Sequence, residues 1–202
     1  MMRTHPISVV ATGVLALVAV TACAQNGPST SPTTPPASSS APPSASPTSD
    51  TEEAAAAAVA IVRSYHTTLD RLRQDHTESM DALSKVETST LLTADRHLLE
   101  GERAKKLRQV GDTEVADTSV EGVNLDNSDP DAGKVPTVTV DVCWDVSEVD
   151  VVDASGKSVV SPGRTDVGWT RYVVANYHYR TDPATGWRVA SAQDLKQEPC
   201  KA

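Results

Sequence analysis

Apolar side chains recur from Ala58 at alternating steps of four and three: Ala58, Val62, Tyr65, Leu69 and Leu72. That spacing lines them along one face of a long helix, with Arg63, Asp70, Arg71 and Gln74 largely on the other side. Asp50 followed by Glu53 predicts a capping-box start. A shorter helical turn carries Met80, Leu83 and Val86. A third helix starts near Thr88 or Ser89 and carries Leu91, Leu92, Leu98, Leu99 and Leu107. Lys105, Lys106 and Arg108 suit its negative end, and Gly111 supplies the stop. Gly101 within it predicts a kink or a split.

From Asp112 the period shortens. Val138, Val140, Val142, Trp144 and Val146 alternate with Thr139, Asp141, Cys143 and Asp145, as in a half-buried strand. Val149, Val151 and Val152 lead to a turn at residues 153–156. A long strand is predicted from Val167 to about Arg180, then a turn at 182–186 and a last strand from Trp187 to about Ala192. Helices followed by an antiparallel meander predict an α+β fold, with helices packed on one face of a curved sheet.

Upstream the pattern differs. Arg3 precedes an apolar run from Ile7 to Val20, and Thr21-Ala22 leads into Cys23. The run is shorter than the ~20 residues needed to cross a hydrocarbon core. It reads as a secretory signal over residues 1–22, and Val20-Thr21-Ala22-Cys23 resembles the lipobox of bacterial lipoproteins. That resemblance implies cleavage before Cys23, a diacylglyceryl group on its thiol, and an extracytoplasmic chain held to the outer face of the cell membrane. The alternatives are an ordinary secretory signal cut after Ala22 or Ala24, and a retained span. Residues 24–49 are uncharged and nearly all Ser, Thr, Pro, Ala, Gly and Gln. Such a segment has too little to bury to offset its ordering entropy, so 23–49 reads as a lipidated cysteine and a disordered stalk. As a flexible coil it spans roughly 30 Å. Residues 50–202 then form one domain of ordinary size.

Lys and Arg number 18 against 27 Asp and Glu, a net charge of −9. Loss of Arg3 with the signal deepens that by one. An acidic chain has no basic face for nucleic acid, and anionic lipid repels it. With Cys23 lipidated, two of the three cysteines remain. In an oxidising compartment the even remainder predicts a Cys143–Cys200 disulfide; two unpaired thiols are the alternative.

Motifs suggestive of chemistry fail on inspection. Gly156-Lys157-Ser158 lacks the P-loop glycine five positions earlier, where Val151 stands. Asp126–Asp131 has Pro130 at a would-be calcium-ligand position and no bidentate glutamate. His66, His76, His97 and His178 have no zinc spacing, and no G-x-S-x-G elbow is present. No metal, cofactor or catalytic residue is assigned. Trp144, Trp169, Tyr172, Tyr177, Tyr179 and Trp187 fall in the predicted strands, where core packing is the default role. His66 borders the apolar face of the first helix and His178 lies between Tyr177 and Tyr179. Tyr65, His66, Tyr177 and His178 are therefore the candidate lining of a ligand pocket.

The segments Val138–Ser147, Asp153–Lys157, Gly186–Val189 and Pro199-Cys200 resemble those of an uncharacterised family of actinobacterial secreted lipoproteins, over roughly residues 55–202. The resemblance implies a cone-shaped domain similar to the nuclear-transport-factor-two-like fold, which hosts binding proteins, dimer modules and a few enzymes. The enzymes use a carboxylate with a tyrosine or second acid inside the cone, and neither motif maps onto a position here. The leading expectation is a non-enzymatic module that binds an envelope protein or other envelope component. The second is a carrier or sensor for a small apolar ligand, and an enzyme with an acid and base inside the cone is third. A homodimer through the sheet face is a further expectation.

Overall fold

The computed structural model describes residues 49–197 and Cys200. The predicted signal, Cys23 and the stalk short of Ser49 lie outside the described residues. Among those described, no helix is long and apolar enough to cross a membrane.

The first helix, α1 (Asp50–Gln74), begins one residue earlier than the predicted box. Ser49, not Asp50, is the N-cap: its Oγ accepts the Glu52 N–H at 3.3 Å while Glu52 Oε2 accepts the Ser49 N–H at 2.8 Å. Ala54, Ala58, Val62, Tyr65, Leu69 and Leu72 are buried along it, as their spacing requires. A 3-10 turn at Met80–Lys85 follows and buries Leu83.

The next helix, α2 (Ser89–Ala104), runs unbroken through Gly101 and ends well before the predicted stop. Lys106 takes the left-handed conformation at φ 57°, its N–H reaching the Arg103 carbonyl and the Leu107 N–H the Glu102 carbonyl, both at 3.0 Å. This paired closure ends the helix with a lysine where glycine is usual. Gly111, with φ 82°, instead serves the turn between two strands that the sequence pattern did not predict. These are β1 (Arg108–Val110) and β2 (Glu114–Asn124).

The remaining strands are β3 (Thr137–Asp145), β4 (Asp150–Val152), β5 (Val167–Ala175) and β6 (Arg188–Leu195). β1 pairs with β4, and the main antiparallel sheet has the order β2-β3-β5-β6. The architecture is thus α+β, helices followed by antiparallel strands. Directly opposed residues share a sheet face, so Val138 with Val174, Val140 with Tyr172, and Val142 with Thr170 all point the same way. That face and Val189 of β6 pack with α1, Leu83 and Leu99 into one core. Trp187, 1% exposed, closes it and donates its indole N–H to the Pro183 carbonyl at 2.9 Å. The opposite face carries an Arg171–Asp141 pair with two contacts of 2.6 Å, and Glu121 3.8 Å from the same guanidinium.

β5 stops at Ala175 instead of continuing to Arg180. Asn176 turns the chain: its backbone N–H reaches the Pro136 carbonyl, its Oδ1 accepts the His178 N–H at 2.9 Å, and its Nδ2 donates to the Asp182 carbonyl at 2.8 Å. A local side-chain bond of this kind competes with the ladder and ends it. Tyr177, His178 and Tyr179 therefore lie in a turn, not a strand.

Candidate functional site

Tyr65 and His66 are consecutive on α1, where the apolar stripe meets its border, and both turn toward β5. There Tyr65, His66 and Tyr172 form a trio of edge-to-face rings. The centroids are 5.4 Å (Tyr65–His66), 5.7 Å (Tyr65–Tyr172) and 5.7 Å (His66–Tyr172) apart. Tyr172 Oη and His66 Nε2 are hydrogen-bonded at 3.1 Å. The Tyr65 hydroxyl donates to Asp95 Oδ2 of α2 at 2.7 Å. These rings form one wall of an open cleft of about 410 Å³, shared with Trp144 of β3 and Arg164 of the loop before β5. Trp144 can lie there because its strand partner is Gly168, at which a Cβ would stand 2.6 Å from the indole Cζ2. Its N–H donates to Thr170 Oγ1 at 3.0 Å.

Burial sets the charge state of the wall. It holds His66 at about 4, against the pull of Asp70, so the imidazole is neutral near pH 7. Burial also raises Tyr65, with the Asp95 charge adding to the effect, and raises Tyr172. Asp70 is buried but well satisfied. Its Oδ1 accepts from Gln109 Nε2 at 2.6 Å and Thr113 Oγ1 at 2.8 Å, and its Oδ2 from the Thr113 N–H at 2.9 Å. Glu87 is not so served. It is 1% exposed, and neither carboxyl oxygen has a hydrogen-bond partner among the described residues. Its burial, reinforced by the neighbouring Asp95 charge, pushes the carboxyl up to about 8. The backbone beside it is unusual too: Thr88 caps α2 without a side-chain bond, and Ser89 has φ 60°.

The four candidate pocket residues do not come together. Tyr65 and His66 line the cleft, whereas Tyr177 and His178 line a separate hollow of about 240 Å³ beside Glu87 and Arg188. The reason is the early end of β5, which leaves Tyr177 48% exposed in the turn. A larger hollow of about 540 Å³ lies against the first turns of α1, near Tyr179 and Pro183. It is walled mostly by alanine methyl groups and helix-start carboxylates and gathers no comparable set of rings and donors. Tyr172 is buried in the core, as the sequence pattern predicted, and also borders the cleft, whereas Trp144, assigned to the core, lines the cleft only half-buried. Asp95 was missed, although it stands three residues after Leu92 and four before Leu99 on the apolar stripe of α2. No group of three metal-ligating side chains is gathered among the described residues.

Cys143 of β3 is fully buried on the outer sheet face. The structure places Cys200 beside it, with Cα atoms 6.0 Å apart and the sulfurs at bonding distance.

What fold and site define is a small α+β domain with an aromatic cleft between its helices and the inner face of its sheet. No family model matches the chain, and no curated protein matches it. Among solved structures it is similar to the intermembrane space region of the chloroplast protein ARC6, at 16% identity and a TM-score of 0.48. That match covers 70% of this chain and 95% of the other. A likeness of this size carries no functional argument.

Proposed function

We propose that this chain is an extracytoplasmic lipoprotein, anchored through a lipid on Cys23, whose domain is a non-enzymatic module that binds a small molecule in the aromatic cleft. The observation that carries the reading is the trio of Tyr65, His66 and Tyr172 facing a cleft of about 410 Å³. Concave sites with aromatic walls and a few placed polar groups are the usual form of small-ligand sites. The cone-shaped, nuclear-transport-factor-two-like reading of the fold and the tie to actinobacterial lipoproteins rest on the sequence resemblance. The uncharged stalk ahead of Ser49 would hold such a module off the membrane.

Mass spectrometry of the full chain, extracted natively in detergent, tests both halves. Under native conditions a reproducible extra mass that vanishes on denaturation supports a bound ligand. After denaturation, a mass starting at Cys23 and carrying acyl chains supports the anchor. A bare native mass in every extract would turn the search toward a protein partner.

A further inference from the structure

Most charged groups on the cleft wall are fully engaged, and Asp95 is the one with spare acceptor capacity. Arg73 Nε is 3.2 Å from Glu102, and Arg164 bonds both Asp166 at 2.9 Å and the Val146 carbonyl at 2.7 Å. Asp70 is saturated by Gln109 and Thr113. Asp95 accepts only the Tyr65 hydroxyl; Glu87, buried behind Asp95 and facing the second hollow, has neither oxygen hydrogen-bonded among the described residues. Through Asp95 the wall thus offers acceptor capacity and negative charge, with its two guanidinium groups already neutralised by carboxylates. Facing that charge are the rings of Tyr65, Tyr172 and Trp144, whose π faces attract cations.

Resting on the cleft reading above, we propose that the ligand is an organic cation: an ammonium group seated among Tyr65, Tyr172 and Trp144, with Asp95 as its counter-charge and Glu87 buried behind Asp95. A proton balance follows from the burial of Glu87 beside the Asp95 charge, which favours its neutral form. Glu87 in its neutral form holds a proton next to Asp95; a positive charge arriving in the cleft favours the ionised form, so the proton leaves to solvent as the ligand binds. Other groups bear on Glu87: Tyr65 from α1, Asp95 and Arg96 from α2, and Arg188 and His178 across the second hollow. His66 stays neutral above about 4 and takes no part near neutrality.

Three probes of one shape test this on the full chain by titration calorimetry: choline, its uncharged isostere 3,3-dimethylbutan-1-ol, and the anion 3,3-dimethylbutanoate. Choline is expected to bind at least about ten-fold tighter than the alcohol, the scale of a desolvated cation–π contact plus a counter-charge, and the anion not at all. Choline affinity should rise by about three- to ten-fold from pH 6 to pH 8, because one linked proton changes affinity by at most ten-fold per pH unit. Glu87→Gln should abolish that rise, and Asp95→Asn should weaken choline at every pH. Equal or tighter binding of the alcohol or the anion would overturn the cation reading and leave the cleft reading standing. No binding of choline at millimolar concentration would also overturn it. Silence of all three probes together with a bare native mass would remove both readings.

Discussion

Glu87→Gln should make the protein more stable at pH 8 and change it little at pH 4.5. The wild-type carboxyl is pushed up to about 8 in the fold from a model-compound value of 4.5, chiefly by burial and next by the charge of Asp95. A carboxyl raised in the fold stabilises fully below its unfolded value, and that contribution is lost as pH rises through the folded value. The window is therefore pH 4.5 to 8, in which the unfolded chain is ionised while the fold still holds the proton. At about 1.4 kcal/mol per pH unit the full window approaches 5 kcal/mol. The pull of Arg96 is already contained in the value of about 8, and relaxation of the fold around a buried charge brings the realised cost to about 2–3 kcal/mol. Glutamine keeps the shape without a titrating charge, so its gain over wild type should grow through this window. For a domain of this size that is about 4–10 °C in Tm at pH 8, read by thermal melts of the two proteins side by side from pH 4 to 9. The exposed aspartates held low by neighbouring Ser, Thr and backbone N–H groups, such as Asp153 and Asp182, are common to both proteins and cancel. A difference that is constant with pH, or that favours wild type at pH 8, would refute the reasoning.

Four further outcomes are expected. Asp70→Asn removes a charged acceptor from three bonds and should cost about 1.5–3 kcal/mol in urea unfolding. Trp187→Ala empties the most deeply packed ring and should cost about 3–5 kcal/mol in the same assay. Reduction of the Cys143–Cys200 link, whose partners are 57 residues apart, should lower stability by up to about 4 kcal/mol on the loop-closure account, with two thiols newly reactive after denaturation. Cys23→Ser should move the chain from the membrane fraction to the soluble fraction, and persistence in the membrane would count against lipidation.

How far the fold could be read from the sequence depended on whether one periodicity ran uninterrupted. α1 and β3 were legible because steps of four and three, and strict alternation from Val138 to Val142, leave no competing reading. β2 was not, because its pairing with β3 shifts register between Val115 and Asp117 and again between Val120 and Gly122. Each bulge resets the alternation, so no run was long enough to show a period of two. The ends of elements failed for local reasons. Lys106 accepted the left-handed position that glycine usually takes, and Asn176 ended β5 through its own side chain.

The site divides along the same line. Tyr65 and His66 were legible because a helix fixes which residues share a border. Tyr177 and His178 were grouped with them on the premise of an unbroken strand, and one asparagine removed that premise. Asp95 and Glu87 were hidden for a different reason. A carboxylate on an apolar stripe looks like an error of pattern until its partner is known, and the partner here is another carboxylate brought in by the junction between the 3-10 turn and α2. Burying Glu87 against the half-buried Asp95 with so little compensation is costly, and the uncapped start of α2 with Ser89 at φ 60° adds strain at the same spot. Local violations of folding rules concentrate where function constrains a structure. That coincidence at Glu87–Ser89, behind Asp95 of the cleft wall, is why Asp95 and Glu87 are proposed to serve ligand recognition and not packing alone.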